Sequence, residues 1–288
     1  MSRLRQYPGR KSQRGMALVI VLWLVAVMTV IASGHSRNAH NEMQLAMRQI
    51  ETAQARGVAQ AAFSLTVLDM LSTVSSGKLP RLGTPFARRL NDHDVVITVR
   101  PTAAFLDLNS ASESLLRALI IAAGTTDDIA ASVAAAIVDW RDADSLAHLN
   151  GAEDDEYAVA GREWSARDDN FVSVDELRYV LGMTASLYRK IAPCVTVHSD
   201  QRTIDLESAP ELLLRAVTGA ETATTGASRS ANGAGTYVID ITVQGKSGTA
   251  VTVEAVVRLT ASAKQPFNIL EWRDAPRWWP IAEDDKQV

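Results

Sequence analysis

Cysteine is almost absent from this chain: Cys194 stands alone among 288 residues. That excludes an intrachain disulfide framework and any metal site built from several cysteines. Acid is absent from residues 1–15, which carry Arg3, Arg5, Arg10, Lys11 and Arg14 and so contribute +5. The remaining 273 residues hold 24 basic and 33 acidic side chains, a balance of −9 behind the overall −4. A net-acidic body argues against general nucleic-acid affinity, which needs cations to neutralise phosphate. Catalytic signatures are missing too. The five histidines, at 35, 40, 93, 148 and 198, have no HExxH spacing, and neither GxSxG nor a glycine-rich phosphate loop occurs. Cys194 follows Pro193 in an apolar stretch and reads as a small core residue. The chain reads as a non-enzyme.

Apolar residues are plentiful, at 47%, which is enough for a sizeable core and excludes disorder throughout. The length suits one elaborated domain or two modest ones. Residues 16–32 (MALVIVLWLVAVMTVIA) contain one hydroxyl and no charge. As a helix they would span roughly 26 Å, close to the ~30 Å of a bilayer's hydrocarbon core. The basic cluster before them should stay cytoplasmic and send the rest of the chain outward. A signal peptide is the alternative, although no Ala-x-Ala site is evident in the following SGHSRNAHNEM. Gly15, between the basic leader and the apolar run, suits cleavage on the cytoplasmic side, with Met16 as the new first residue.

The helix should continue past the membrane. Residues 36–71 hold no proline and a single glycine, Gly57. Met43, Met47, Ile50, Val58, Ala61, Leu65 and Leu68 recur at three- and four-residue steps, with polar Gln54 in the same row, which predicts an apolar stripe. Residues 94–100 read as a strand. Alternation at Tyr237, Ile239, Ile241 and Val243, then at Val251, Val253, Ala255, Val257 and Leu259, predicts a hairpin around Gly245–Gly248. About 100 residues of helical character lie between the first strand and this hairpin. Residues 218–235 lack periodicity and predict a mobile loop. A tail over 266–288, with Trp272, Trp278 and Trp279, is expected to lie back on the head.

Residues 107–118 (DLNSASESLLRA) and 205–216 (DLESAPELLLRA) match at nine of twelve positions. Asn109 or Glu207, with Ser110 or Ser208, is expected to cap the helix that follows, with Glu113 or Glu211 completing a capping box and Pro210 in the first turn. Helix-hairpin-helix nucleic-acid modules use similar segments. The phosphate-binding glycines are poorly matched, since Gly124-Thr-Thr and Gly182-Met-Thr lack the second glycine. A structural role is favoured. Asp139, Asp142, Asp144, Glu153, Asp154, Asp155 and Glu156 crowd into eighteen residues. A hard cation such as Ca²⁺ takes six to eight oxygens, often from a flexible loop. The spacing is not that of an EF-hand, and a solvated acidic loop at a helix end is the alternative.

A basic leader ending in glycine, an apolar helix running into an amphipathic one, and a β-containing head resemble type IV pilins and pseudopilins. Ile20 stands at the fifth position after Gly15, where such chains usually carry glutamate. That departure, with residues 139–144 (DWRDAD), 151–154 (GAED), 171–178 (FVSVDELR) and 182–184 (GMT), is similar to the minor pseudopilin K family (GspK) of type II secretion systems. The resemblance implies an α+β, pilin-like fold. A long helix, transmembrane then amphipathic, packs on a small antiparallel sheet, and a large α-helical subdomain is inserted. The implied division is a cleaved leader (1–15), a transmembrane half-helix (16–35), the amphipathic helix and first β part (36–105), the helical insert (106–200), and the second β part with its tail (201–288). It further implies cleavage by a prepilin peptidase between Gly15 and Met16 with methylation of Met16, and Ca²⁺ held by Asp142, Asp144, Glu153 and Asp154. The implied setting is a single pass through the bacterial inner membrane with a periplasmic head. The implied partners are minor pseudopilins I and J and other pseudopilus and inner-membrane secretion components, with no nucleic acid. The implied task is to sit at the pseudopilus tip, help initiate assembly and export folded proteins. A membrane-tethered periplasmic binding protein with an acidic helical head is the alternative.

Overall fold

The computed structural model describes residues 14–76, 82–201, 203–218, 235–245, 248, 250–260, 262 and 264–274, and the side chains of the first helix at 17–30 and 42–72. That helix, α1, runs unbroken over Arg14–Ser76. Residues 1–54 and 55–288 form two compact units. In the first, the described apolar side chains, among them Leu18, Trp23, Met43 and Ile50, are exposed. Among the described residues no helix is long and apolar enough to cross a membrane. The apolar run is described from Ala17 to Val30.

The second unit begins where α1 meets a sheet. The strands are β1 (Phe86–Leu90), β2 (His93–Pro101), β5 (Gly235–Gln244), β6 (Ala250–Leu259) and β7 (Phe267–Arg273), adjacent in that order. All pairs are antiparallel. Period-two alternation sends Ile97, Val99, Ile239, Ile241, Val253 and Val257 to one face, where they bury against Ala55, Val58, Ala59, Ala62, Phe63, Val67 and Met70 of α1. This corrects the stripe read from the sequence: of its members Val58 is buried, whereas Ala61, Leu65 and Leu68 are exposed. Alanines define the true face because a helix without bulky side chains seats closer to a sheet. Phe63 then wedges edge-on against Trp272 and Phe267, with ring centroids at 5.3 and 6.5 Å.

Two strands of this sheet were not foreseen. β1 turns into β2 through Asn91 and Asp92, both at positive φ (47° and 65°). A two-residue loop of such residues is a type I′ hairpin signal. β7 is the first part of the expected tail, and it pairs with β6: Phe267 and Ile269 keep the sheet's period, and past a register shift Trp272 stands opposite Ala255. Trp278 and Trp279 lie outside the described residues, as does the predicted loop apart from its two ends.

Between β2 and β5 the chain builds a helical lobe. It contains α2 (Glu113–Ala122), α3 (Asp127–Arg141), α4 (Asp154–Val159), α5 (Ala185–Ile191) and α6 (Glu211–Thr218), with the short parallel pair β3 (Leu106–Asp107) and β4 (Val195–Thr196). Leu116, Leu119, Ile137, Tyr157, Leu177 and Ile191 are among the large, fully buried residues of its core. The same core takes in Leu213, Ala216 and Val217, past the 106–200 span drawn from sequence, because α6 packs on α2.

The repeat acquires a physical meaning here. Asp107 accepts from the amide of Asn109 at 2.8 Å, and its equivalent Asp205 accepts from that of Glu207 at 3.1 Å. Each aspartate makes the same turn before a helix. The capping expectation needs correction: the N-cap of α2 is Ser112, whose hydroxyl accepts from Leu115 N at 3.4 Å. Asn109 and Ser110 instead tie to Phe171 and Gln201. Pro210, at the position equivalent to Ser112, immediately precedes α6 rather than lying in its first turn.

Candidate metal centre

Asp139 lies in the last turn of α3, three and four residues past the buried Ala136 and Ala135, so helical periodicity points it inward. It is 0% exposed. An isolated buried carboxylate costs several kcal/mol, so it needs donors. The loop leaving α3 supplies them. Asp139 accepts from His148 N at 3.2 Å, from Ala152 N at 2.7 Å, and from the His148 ring at Nδ1. Asn150 adopts φ 67°, and at Gly151 a Cβ would stand 1.9 Å from Asp139 Oδ2. The loop therefore folds over the aspartate only because residue 151 has no side chain.

One donor atom each from Asp139, Asp142 and His148 lies within 4.8 Å of the others. His148 Nδ1 is also 3.7 Å from Asp142 Oδ2. Glu153, just before α4, is 5% exposed, and its Oε1 has no hydrogen-bond partner; Asp142 Oδ1 is likewise buried without one. Burial, and then the nearby charges of Asp139, Asp168, Asp142 and Asp154, push the Glu153 carboxyl up to about 7. Burial, Asp144 and Asp139 raise that of Asp142. The hydrogen bond to Asp139 raises His148.

Of the residues singled out by sequence, Asp142 falls in the three-donor cluster. Glu153 adjoins it, buried, through its charge coupling to Asp139 and Asp142. Asp144 is exposed and accepts from Leu146 N at 2.9 Å. Asp154 is exposed in the first turn of α4. Gly15 and Met16 open α1, and their surroundings lie outside the described side chains. Asp139 and His148 were missed as partners. The inward period of α3 marks Asp139, but nothing in the sequence announces that the loop returns His148 to it. Cys194 is buried, and burial raises its thiol to about 11, far from a thiolate nucleophile.

A long helix laid on an antiparallel sheet, with a helical lobe between the second and third of its adjacent strands, defines a pilin-like α+β protein. In a solved structure, the GspK-GspI-GspJ complex of the enterotoxigenic Escherichia coli type 2 secretion system, a chain is similar at a TM-score of 0.60 and 18% identity, over 79% of this chain and 98% of that one. Residues 95–200 match the family "Type II secretion system (T2SS), protein K", and residues 14–64 match "PilX N-terminal". Type II secretion system protein K of Klebsiella pneumoniae is 27% identical over 66% of this chain and 64% of its own length. The Aeromonas hydrophila protein of that name is 28% identical over 70% and 69%. The chain is thus similar to type II secretion system protein K in its middle third, by the family match, and over about two thirds of its length, by the curated relatives. It spans 64% and 63% of the lengths of the Klebsiella and Pectobacterium carotovorum relatives.

Proposed function

We propose that this protein is a minor pseudopilin, anchored in the inner membrane by residues 16–32 with its head in the periplasm, and that it assembles with minor pseudopilins I and J. The fold carries this reading: a chain of the three-protein complex is similar to it over 98% of that chain's length. The role is structural, at the tip of the pseudopilus, where the protein helps initiate assembly for export of folded proteins. A prepilin peptidase cleaves after Gly15 and Met16 becomes N-methylated. Mass spectrometry of the mature chain should show both changes, and co-expression with the I and J subunits should yield a stable ternary complex. An intact leader together with failure to co-purify would overturn the reading.

We further propose that the acidic loop holds Ca²⁺. The donor set is oxygen-rich, and two of its buried carboxylate oxygens, on Asp142 and Glu153, face no hydrogen-bond donor. Both would serve as ligands, while Asp139, already accepting from two amides and the His148 ring, fixes the loop. Asp144 and Asp154 are close enough in charge to add to the site. Calcium should raise the melting temperature of the full chain relative to chelator. A ligand at a hundred times its dissociation constant stabilises by about 2.7 kcal/mol.

A further inference from the structure

The turn that closes over Asp139 sets up a chemistry that neither packing nor cation binding uses. Asn150 is exposed, and Gly151 follows it. Among the described residues none hydrogen-bonds the Asn150 side-chain amide. Asn109, by contrast, has both ends of its amide tied to the Phe171 backbone, at 2.8 and 3.0 Å. The main-chain nitrogen after an asparagine can close a five-membered ring onto the side-chain carbonyl carbon, and it is least hindered when it belongs to a residue without a Cβ. Residue 151 must be that residue, because a Cβ there would stand 1.9 Å from Asp139 Oδ2. The burial of Asp139 thus imposes the least hindered neighbour on Asn150. The closed loop opposes the ring closure. Gly151 N donates to His148 O at 2.8 Å, and Ser132 Oγ of α3 donates to Asn150 O at 3.0 Å. Together they hold Asn150 at φ 67° as the third residue of a tight turn. Attack takes Gly151 N off His148 O, so it requires the turn to open locally.

We infer that Asn150 is a modification site, deamidated at a rate set by the opening of this turn. Gly151 N gives its proton to solvent base and bonds to Asn150 Cγ. The carboxamide nitrogen takes up a proton and leaves as ammonia, which yields a succinimide. Water then adds to one ring carbonyl and breaks that carbonyl's bond to nitrogen. Breakage at the side-chain carbonyl gives an aspartate at position 150; breakage at the main-chain carbonyl gives isoaspartate, with one more methylene in the backbone. One water is consumed, one ammonia is released, and nothing is oxidised or reduced. Either product adds a carboxylate to the loop that wraps Asp139. Isoaspartate also lengthens the segment between His148 N and Ala152 N, the two amides that Asp139 accepts from. The change does not reverse, so the loop carries a clock that advances only while it is open. The assignment depends neither on the bound cation nor on the filament role proposed above.

The test is peptide mapping by mass spectrometry of the full chain in detergent, aged at neutral pH, with isoaspartate read by enzymatic methyl transfer. All samples carry Asn232→Gln, which silences the other Asn-Gly pair of the sequence, outside the described residues. The native protein should gain isoaspartate at position 150 about tenfold more slowly than the same chain in denaturant, while Asn109 stays unchanged in the native state. Ser132→Ala removes one exposed clamp and should speed the conversion about threefold. Asn150→Gln should suppress it. Fully converted protein should melt lower than fresh protein. No isoaspartate at position 150 of the native chain by the time the denatured chain has converted would overturn the site. Equal rates in the native, denatured and Ser132→Ala chains would overturn control by the turn. An unchanged melting temperature after full conversion would overturn the consequence for the loop.

Discussion

At the scale of single residues, the loop after α3 is built around Asp139 as a buried acceptor, and Gly151 is the residue that permits the approach. Gly151→Ala forces either the loop or the carboxylate to move. It should destabilise the head by about 2–4 kcal/mol, seen as a lower denaturant midpoint with little change in slope. Glu153 and His148 also set a pH response. Glu153 in the folded chain stays protonated up to about 7, whereas its ordinary value is 4.5. Between these values the folded state holds the extra proton, so stability falls as pH rises and the loss is complete above about 7. His148 has the same sign: its raised value gives stability that is full below 6.5 and lost at higher pH. Calcium-stripped protein should thus melt progressively lower from about pH 5 to about pH 8, and Glu153→Gln should flatten the lower half of that range. A melting temperature that climbs with pH over this interval would contradict the environment described for Glu153.

At the scale of elements, the sequence was legible wherever one periodicity dominated. A run of β-branched residues located β2, alternation located β5 and β6, and the repeat located the starts of α2 and α6. The phase of α1 was not legible. Two apolar stripes coexist on it, one of Met and Leu and one of Ala and Phe, and the more hydrophobic one is exposed. Size rather than hydropathy selects the face, since the sheet accepts what packs closely. Ala62, fully buried, should tolerate no enlargement: Ala62→Leu is expected to cost about 1–3 kcal/mol in thermal or chemical unfolding. Leu68, 61% exposed, should be replaceable by alanine within about 0.5 kcal/mol. The reverse order would restore the stripe read from sequence. β7 was hidden for another reason. Its identity as a strand depends, besides its neighbour β6, on partners distant in sequence: Phe63 of α1, and the His198–Glu271 and Arg273–Asp175 pairs that fasten it to the lobe.

At the scale of the whole molecule, the family resemblance and the acidic loop were legible as motifs, but the ring of groups around Asp139 was not, because it closes only in three dimensions. Ile20 bears on the proposed place in a filament. A carboxylate at that point in a membrane helix would need a partner, at a cost of roughly 2.5–3.5 kcal/mol without one. Isoleucine needs none, so this subunit can sit first with no subunit ahead of it. Ile20→Glu should impair membrane insertion or assembly, measured as loss of membrane-fractionated protein and of secretion. Cross-linking should recover one copy per filament, at the tip, and repeated copies along a shaft would refute that position.

The parallel clip of β3 with β4 has a kinetic consequence. Pro101 on β2 pairs with Tyr237 on β5, 136 positions later. Closing a loop of that length is slow, and the entropy required rises with the logarithm of its length. Leu106 opposite Val195, and Asp107 accepting from the amides of Ser199 and Asp200, bring the two ends of the intervening chain together. Once the lobe has formed, the route from β2 to β5 shortens to the five residues before Leu106 and the 42 from Val195 to Tyr237. The entropy term then drops by roughly 1 kcal/mol, about a fivefold gain in closure rate. The lobe should therefore fold first and template the sheet. Pulse-labelled hydrogen exchange during refolding should protect amides of α2, α3 and α5 before those joining β2 to β5, and simultaneous protection of both sets would exclude this order.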